Sequence, residues 1–136
     1  MAATISTYVT FNGYTTDVLK HWQEVFGGDL HLMTYGETPM DGMPFDPPGD
    51  ALAHGVLTLP GGVISGGDSM DGEYPIRDTA YSLLYNAESD DDARERIAKL
   101  VGAGGEETMK FEEAPWGGSY GQVFDKFGVM WSFNTM

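Results

Sequence analysis

From Ile5 to Phe11 the chain alternates, with Ile5, Thr7, Val9 and Phe11 on one side and Ser6, Tyr8 and Thr10 on the other. A two-residue period predicts a strand with one buried face. Asn12-Gly13 interrupts it, and Val18, Leu19, Trp22, Val25 and Phe26 then recur at helical spacing. A helix is therefore predicted to start at Thr15 or Thr16, ahead of Asp17, and to end at Gly27-Gly28. Strands are predicted next at Asp29 to Tyr35, Ala51 to Leu59 and Val63 to Asp68, the last two joined by the turn Pro60-Gly61-Gly62. Residues 36–50, GETPMDGMPFDPPGD, hold too much proline and glycine for either element and read as a long loop.

After residues 69–78 the pattern begins again. Thr79 to Tyr85 reads as a strand, and Asn86-Ala87 stands where Asn12-Gly13 stood. Ser89 with Asp92 forms a capping box, and Asp90 and Asp91 suit the positive end of a helix dipole. Ala93, Ile97, Leu100 and Val101 form the inner face of that helix, and Gly102, Gly104 and Gly105 close it. Strands follow near Glu106 to Glu112, Gly118 to Asp125 and Val129 to Asn134, with Lys126-Phe127-Gly128 as the last turn. The order of elements is a β-α-β-β-β unit read twice, with modules at about 4–68 and 79–134 inside a single domain spanning 1–136. The fold class is α+β. One helix covers one face of a four-stranded sheet, so two such units side by side are expected to leave their other faces as a curved-sheet cup.

Composition narrows the function classes. At 136 residues with 41% hydrophobic and 12% aromatic content, the chain is large enough to bury a core. There is no cysteine, which excludes disulfides, thiolate metal sites and a cysteine nucleophile. Twenty-one acidic residues against seven basic ones give a formal net charge of −14. Such a surface repels phosphate backbones and anionic lipid, so neither nucleic acid nor membrane is an expected partner. The first residues carry neither a basic patch nor an apolar run, and a cytoplasmic location is expected.

The segments TYVTFNG, EVFGG, LHLMTYGE, AHGVLTLPGGVISGGD and WGGSYGQVFDKFGVMWSFNT together resemble the PhnB-like branch of the glyoxalase/bleomycin resistance/dioxygenase (vicinal oxygen chelate) superfamily. The closing DKFGVMWSFNT is the most specific part, although it has lysine where the family usually has the proline of D-P-F-G. The resemblance implies paired βαβββ modules, a homodimer, and a small-molecule ligand in the cup. Members are often labelled demethylubiquinone methyltransferases, but no glycine-rich nucleotide loop opens a helix here. Metal-dependent relatives place ligands on the first and fourth strand of each half, and those places fall near Ser6, Ser65, Ala80 and Ser132. Serine and alanine do not replace imidazole and carboxylate donors, so no metal and no cofactor is expected.

Several side chains remain as candidates. His54 begins the third strand with Val56 and Thr58 on its face, directed at the cup. It reads equally as a histidine hydrogen-bonded to a neighbouring strand and as a ligand-binding group or general base. Tyr8 shares the polar side of the first strand, while Asp68 in GGD reads either as a ligand contact or as a cap on backbone N–H groups. Trp116, Tyr120 and Gln122 in WGGSYGQ suit a flat small molecule, with a dimer contact as the alternative for Trp116. His21 is expected to face solvent and His31 to sit in the second strand; Trp131 and Phe133 are expected in the core. Met33, Tyr35, Met40, Met43 and Phe45 read either as an adaptable apolar lid or, for the loop methionines, as a contact with a partner subunit. Two functions follow as expectations: a metal-independent small-molecule binding protein, or a lyase, isomerase or dioxygenase-like enzyme using His54.

Overall fold

A computed structural model describes residues 3–37, 47–70 and 72–136. The chain divides into two compact units, Met1–Tyr74 and Pro75–Met136. The first contains β1 (Thr7–Phe11), α1 (Thr15–Phe26), β2 (Asp29–Thr34), β3 (Leu52–Leu59) and β4 (Gly62–Asp68). The second contains β5 (Leu83–Asn86), α2 (Asp90–Gly102), β6 (Glu106–Glu113), β7 (Ser119–Phe124) and β8 (Met130–Asn134). Each unit is a four-stranded sheet with one helix, in the orders β1-β4-β3-β2 and β5-β8-β7-β6. The first strand of each unit pairs parallel with the last, which makes it an edge strand beside a pair of hairpin partners. This is the α+β, twice-repeated βαβββ architecture that the pattern of elements predicts.

Pairing register assigns each side chain to a face, because residues opposite one another point the same way. In the first unit, Ile64 and Leu57 are opposite each other and buried, and a Cβ on Gly55 would stand 3.0 Å from Leu19 of α1. That face packs on the helix, whose Val18, Leu19 and Trp22 are fully buried. In the second unit, Val123 faces Trp131 and Gly121 faces Phe133, and these meet the side of α2 carrying Ala93, Ile97 and Leu100. Truncating Trp22 to alanine would cost about 3–5 kcal/mol, as for other large buried aromatics.

The two helices are anchored to their sheets by mirror-image chemistry. In the first unit the sheet supplies the carboxylate: Asp68, at the end of β4, accepts from the Thr15 N–H (2.9 Å) and the Leu52 N–H (2.9 Å). The Thr15 hydroxyl in turn accepts from the Phe11 N–H (3.0 Å). In the second unit the helix supplies it: Asp90 accepts from the hydroxyls of Thr135 (2.8 Å) and Ser119 (3.0 Å). Ser89 caps α2 by accepting from the Asp92 N–H at 3.0 Å. Asp125 explains the closing motif, because one oxygen accepts from the Phe127 and Val129 N–H groups and the other from the buried Trp131 indole. The turn and the core ring are thereby fixed by one side chain.

The α1 N-terminus has no local side-chain cap and is capped by Asp68 from β4. Two expectations change. His21 is buried (5% exposed) rather than solvent-facing, because the buried stripe of α1 is wide enough to include it beside Trp22. The strand expected from Thr79 begins only at Leu83, where pairing with Trp131 of β8 starts. Trp131 and Phe133 are core residues, at 3% and 0% exposure. Among the described residues no helix is long and apolar enough to cross a membrane.

Candidate functional site

The face of the first sheet turned away from α1 carries Tyr8 and Thr10 on β1, Ser65 and Gly67 on β4, His54 and Val56 on β3, and His31 and Met33 on β2. Tyr8 and His54 belong to strands separated by β4, yet their rings stack, with centroids 5.9 Å apart and planes 19° from parallel. Gly67 permits this reach. A Cβ at that position would lie 2.8 Å from the Tyr8 hydroxyl and 3.0 Å from the Ala53 carbonyl, so the phenol crosses β4 over a residue without a side chain. Partial burial, and then the neighbouring Tyr35, push the Tyr8 phenol above its ordinary value. It stays protonated at neutral pH and is available as a donor.

His54 is half-buried, and among the described residues its imidazole nitrogens have no hydrogen-bond partner. Val56 is the next residue on its face and Met33 lies directly opposite it on β2. The result is an aromatic platform with a polar edge. It can stack a flat ring and offer hydrogen bonds from Tyr8 and His54 at its rim. His31 is exposed on edge strand β2. Met33 and Tyr35 are half-buried, whereas Met40, Met43 and Phe45 lie outside the described residues.

The second sheet places Trp116, Tyr120 and Gln122 together on its own helix-free side. The Trp116 and Tyr120 rings meet edge to face at 5.8 Å, and Gln122 Nε2 donates to the Tyr120 hydroxyl at 3.1 Å. Trp116 is 69% exposed, on the turn between β6 and β7. Asn134 and Asn86 extend this face toward β5 and hydrogen-bond to each other at 3.3 Å. Their pairing depends on the β5–β8 register.

Of the six side chains singled out from sequence, Tyr8 and His54 come together in one unit and Trp116, Tyr120 and Gln122 in the other. Asp68 joins neither cluster. It shares the helix-side face with Phe11, and both of its oxygens are taken by backbone N–H groups, so its role is the structural cap.

The positions that superfamily metal sites would use do not fit a metal here. Ser132 is buried with its hydroxyl 3.0 Å from that of Ser82, and Ser65 faces Tyr8 across the β1–β4 ladder. Ser6 and Ala80 are exposed. Neutral hydroxyls and a methyl group make a poor donor set for zinc, nickel or iron. Among the described residues, no three of His, Asp and Glu come together in a metal-holding group.

A family model described as the Glyoxalase/Bleomycin resistance protein/Dioxygenase superfamily matches residues 5–133. Protein YjdN of Escherichia coli (strain K12) is 28% identical over 146 residues, covering 97% of this chain and 95% of that protein. The crystal structure of protein PA1353 from Pseudomonas aeruginosa superposes with a TM-score of 0.81 at 25% identity, covering 98% of each chain. The PhnB protein of Bacillus cereus gives a TM-score of 0.76 at 20% identity over 98% of this chain and 100% of that one.

Proposed function

The chain belongs to the glyoxalase/bleomycin resistance protein/dioxygenase superfamily, on its PhnB-like branch, and on that premise we propose that it is a metal-independent small-molecule binding protein. The observation that carries this reading is the Tyr8–His54 stack on the helix-free sheet face. Stacked rings on the sheet face turned away from α1 offer a surface to a flat ligand. The −14 charge favours neutral or cationic ligands over anionic ones. No cofactor enters the proposal. The protein acts as a cytoplasmic homodimer, with neither nucleic acid nor membrane as partner.

The test is a thermal-shift screen with flat aromatic and heteroaromatic compounds on wild type, Tyr8→Ala and His54→Ala. Ligand binding to the native state raises the melting temperature by mass action. Compounds that stabilise wild type and lose that effect in both variants are expected. Hits that stabilise all three proteins equally would place binding elsewhere and end this reading.

A second reading has one observation in its favour: His54 stands half-buried on the sheet face turned away from α1, stacked on Tyr8, where an imidazole can take a substrate proton. The protein would then be a lyase, isomerase or dioxygenase-like enzyme. Turnover of a bound compound that disappears in His54→Ala, while the compound still binds, would select it over the first.

A further inference from the structure

We infer that the helix-free face of the second unit binds an uncharged, hydroxyl-rich ring, a sugar or a sugar-like polyol; this rests on the small-molecule reading above and adds to it a second ligand class on the second sheet. Asn86, Asn134, Tyr120 and Glu112 are successive cross-strand neighbours on β5, β8, β7 and β6. Asparagine is a poor strand residue, so an asparagine pair across two strands gives the sheet little in return. Its worth lies in what it presents on the surface.

The hydrogen-bonding capacity left open, among the described residues, on this row and on Gln122 at the next register step of the same face selects the ligand. Asn134 Nδ2 donates to Asn86 Oδ1 and Gln122 Nε2 to the Tyr120 hydroxyl. Each amide still holds a second N–H, the Asn134 and Gln122 carbonyls can still accept, and Tyr120 retains its own proton. Donors and acceptors are thus mixed along the row. A carboxylate or phosphate only accepts, an ammonium only donates, and a hydrocarbon does neither. A hydroxyl does both, so adjacent hydroxyls on a ring can pair with neighbouring amides while the other ligand types leave some unpaired. Glu112 at the end of the row turns anions away further. Trp116, exposed and edge-on to Tyr120, offers a flat apolar wall for the C–H face of such a ring.

Trp22 and Trp131 are 0% and 3% exposed, so quenching of tryptophan emission by a surface ligand reports on Trp116. The experiment titrates the full chain with methyl glucoside, methyl galactoside and maltose, and with glucuronate and glucosamine as charged counterparts, by fluorescence and saturation-transfer NMR. Neutral sugars should bind more tightly than either charged one. Gln122→Ala should weaken them about tenfold, the scale for losing a hydrogen-bond partner, and Trp116→Ala by about the same factor through loss of the ring contact. Tighter binding of a charged sugar would overturn the inference. So would the absence of sugar binding: if flat aromatic compounds still bind in a Tyr8- and His54-dependent way, the small-molecule reading survives alone. If neither class binds, both fall.

Discussion

Tyr8 and His54 stack across an intervening strand because the residue between them, Gly67, has no side chain. The platform therefore depends on three residues from three strands, and each part can be tested separately.

Gly67→Ala should disturb the stack, since the new methyl would sit 2.8 Å from the Tyr8 hydroxyl. The expected cost is about 1–3 kcal/mol, the usual range for overpacking. In a Tyr8→Phe background the offending oxygen is gone, so the cost of Gly67→Ala should shrink and leave what the Ala53 carbonyl imposes. A double-mutant cycle from urea unfolding measures this coupling. Additive effects would show that Tyr8 does not lie over Gly67 in solution.

Asp68→Asn should destabilise the fold by about 1–3 kcal/mol, because the Thr15 and Leu52 N–H groups bond to different oxygens and the amide puts an NH2 in place of one of them. Ligand binding at the Tyr8–His54 face should be unchanged. Denaturant midpoints together with ligand titration check this, and a selective loss of binding at full stability would return Asp68 to the site.

Acid stability should depend on Asp92. Its burial disfavours the charge, but bonds from the Tyr85 hydroxyl (2.8 Å), the Glu88 N–H (3.1 Å) and the Arg96 guanidinium (3.2 Å) prevail and hold its pKa below 3.8. A depressed folded pKa gives stability that is complete above the unfolded value and is lost as pH falls through the folded one. Wild type should therefore lose this contribution as the pH drops below 3.8, while Asp92→Asn, already weaker at neutral pH, should show a shallower acid limb. Parallel acid limbs in circular dichroism would contradict the assignment.

Local signals and long-range ones were not equally legible in the sequence. The Ser89 cap on α2 is local and can be read from spacing alone. The α1 cap comes from Asp68, 53 residues away, and no local pattern shows which of its two readings applies. Alternation places Tyr8 and His54 each on a polar side of its strand. Their contact needs the parallel β1–β4 pairing and the β4–β3 register, which local periodicity does not encode. Asn86 and Asn134 illustrate the same limit, since their hydrogen bond follows from the β5–β8 register. The burial of His21 is not legible in the periodicity, because a histidine on the flank of an apolar stripe has no period of its own.

Salt should stabilise the protein. With a net charge of −14, self-repulsion opposes the compact state. Raising the ionic strength from 0.01 M to 1 M shortens the screening length from about 30 Å to about 3 Å. The melting temperature should rise over that range in sodium chloride, and a flat or falling curve would show that the acidic residues are too dispersed to matter.

The central claim is that ligand binding at the Tyr8–His54 face needs no metal. Its most direct test is calorimetric titration of chelator-stripped protein with a compound from the thermal-shift screen, repeated after adding zinc, nickel, manganese or iron(II). The expected result is the same affinity with and without metal, reduced about tenfold or more in His54→Ala, the scale for losing a hydrogen-bond partner and a ring contact together. Binding that appears only after one metal ion per chain has been taken up would contradict the claim.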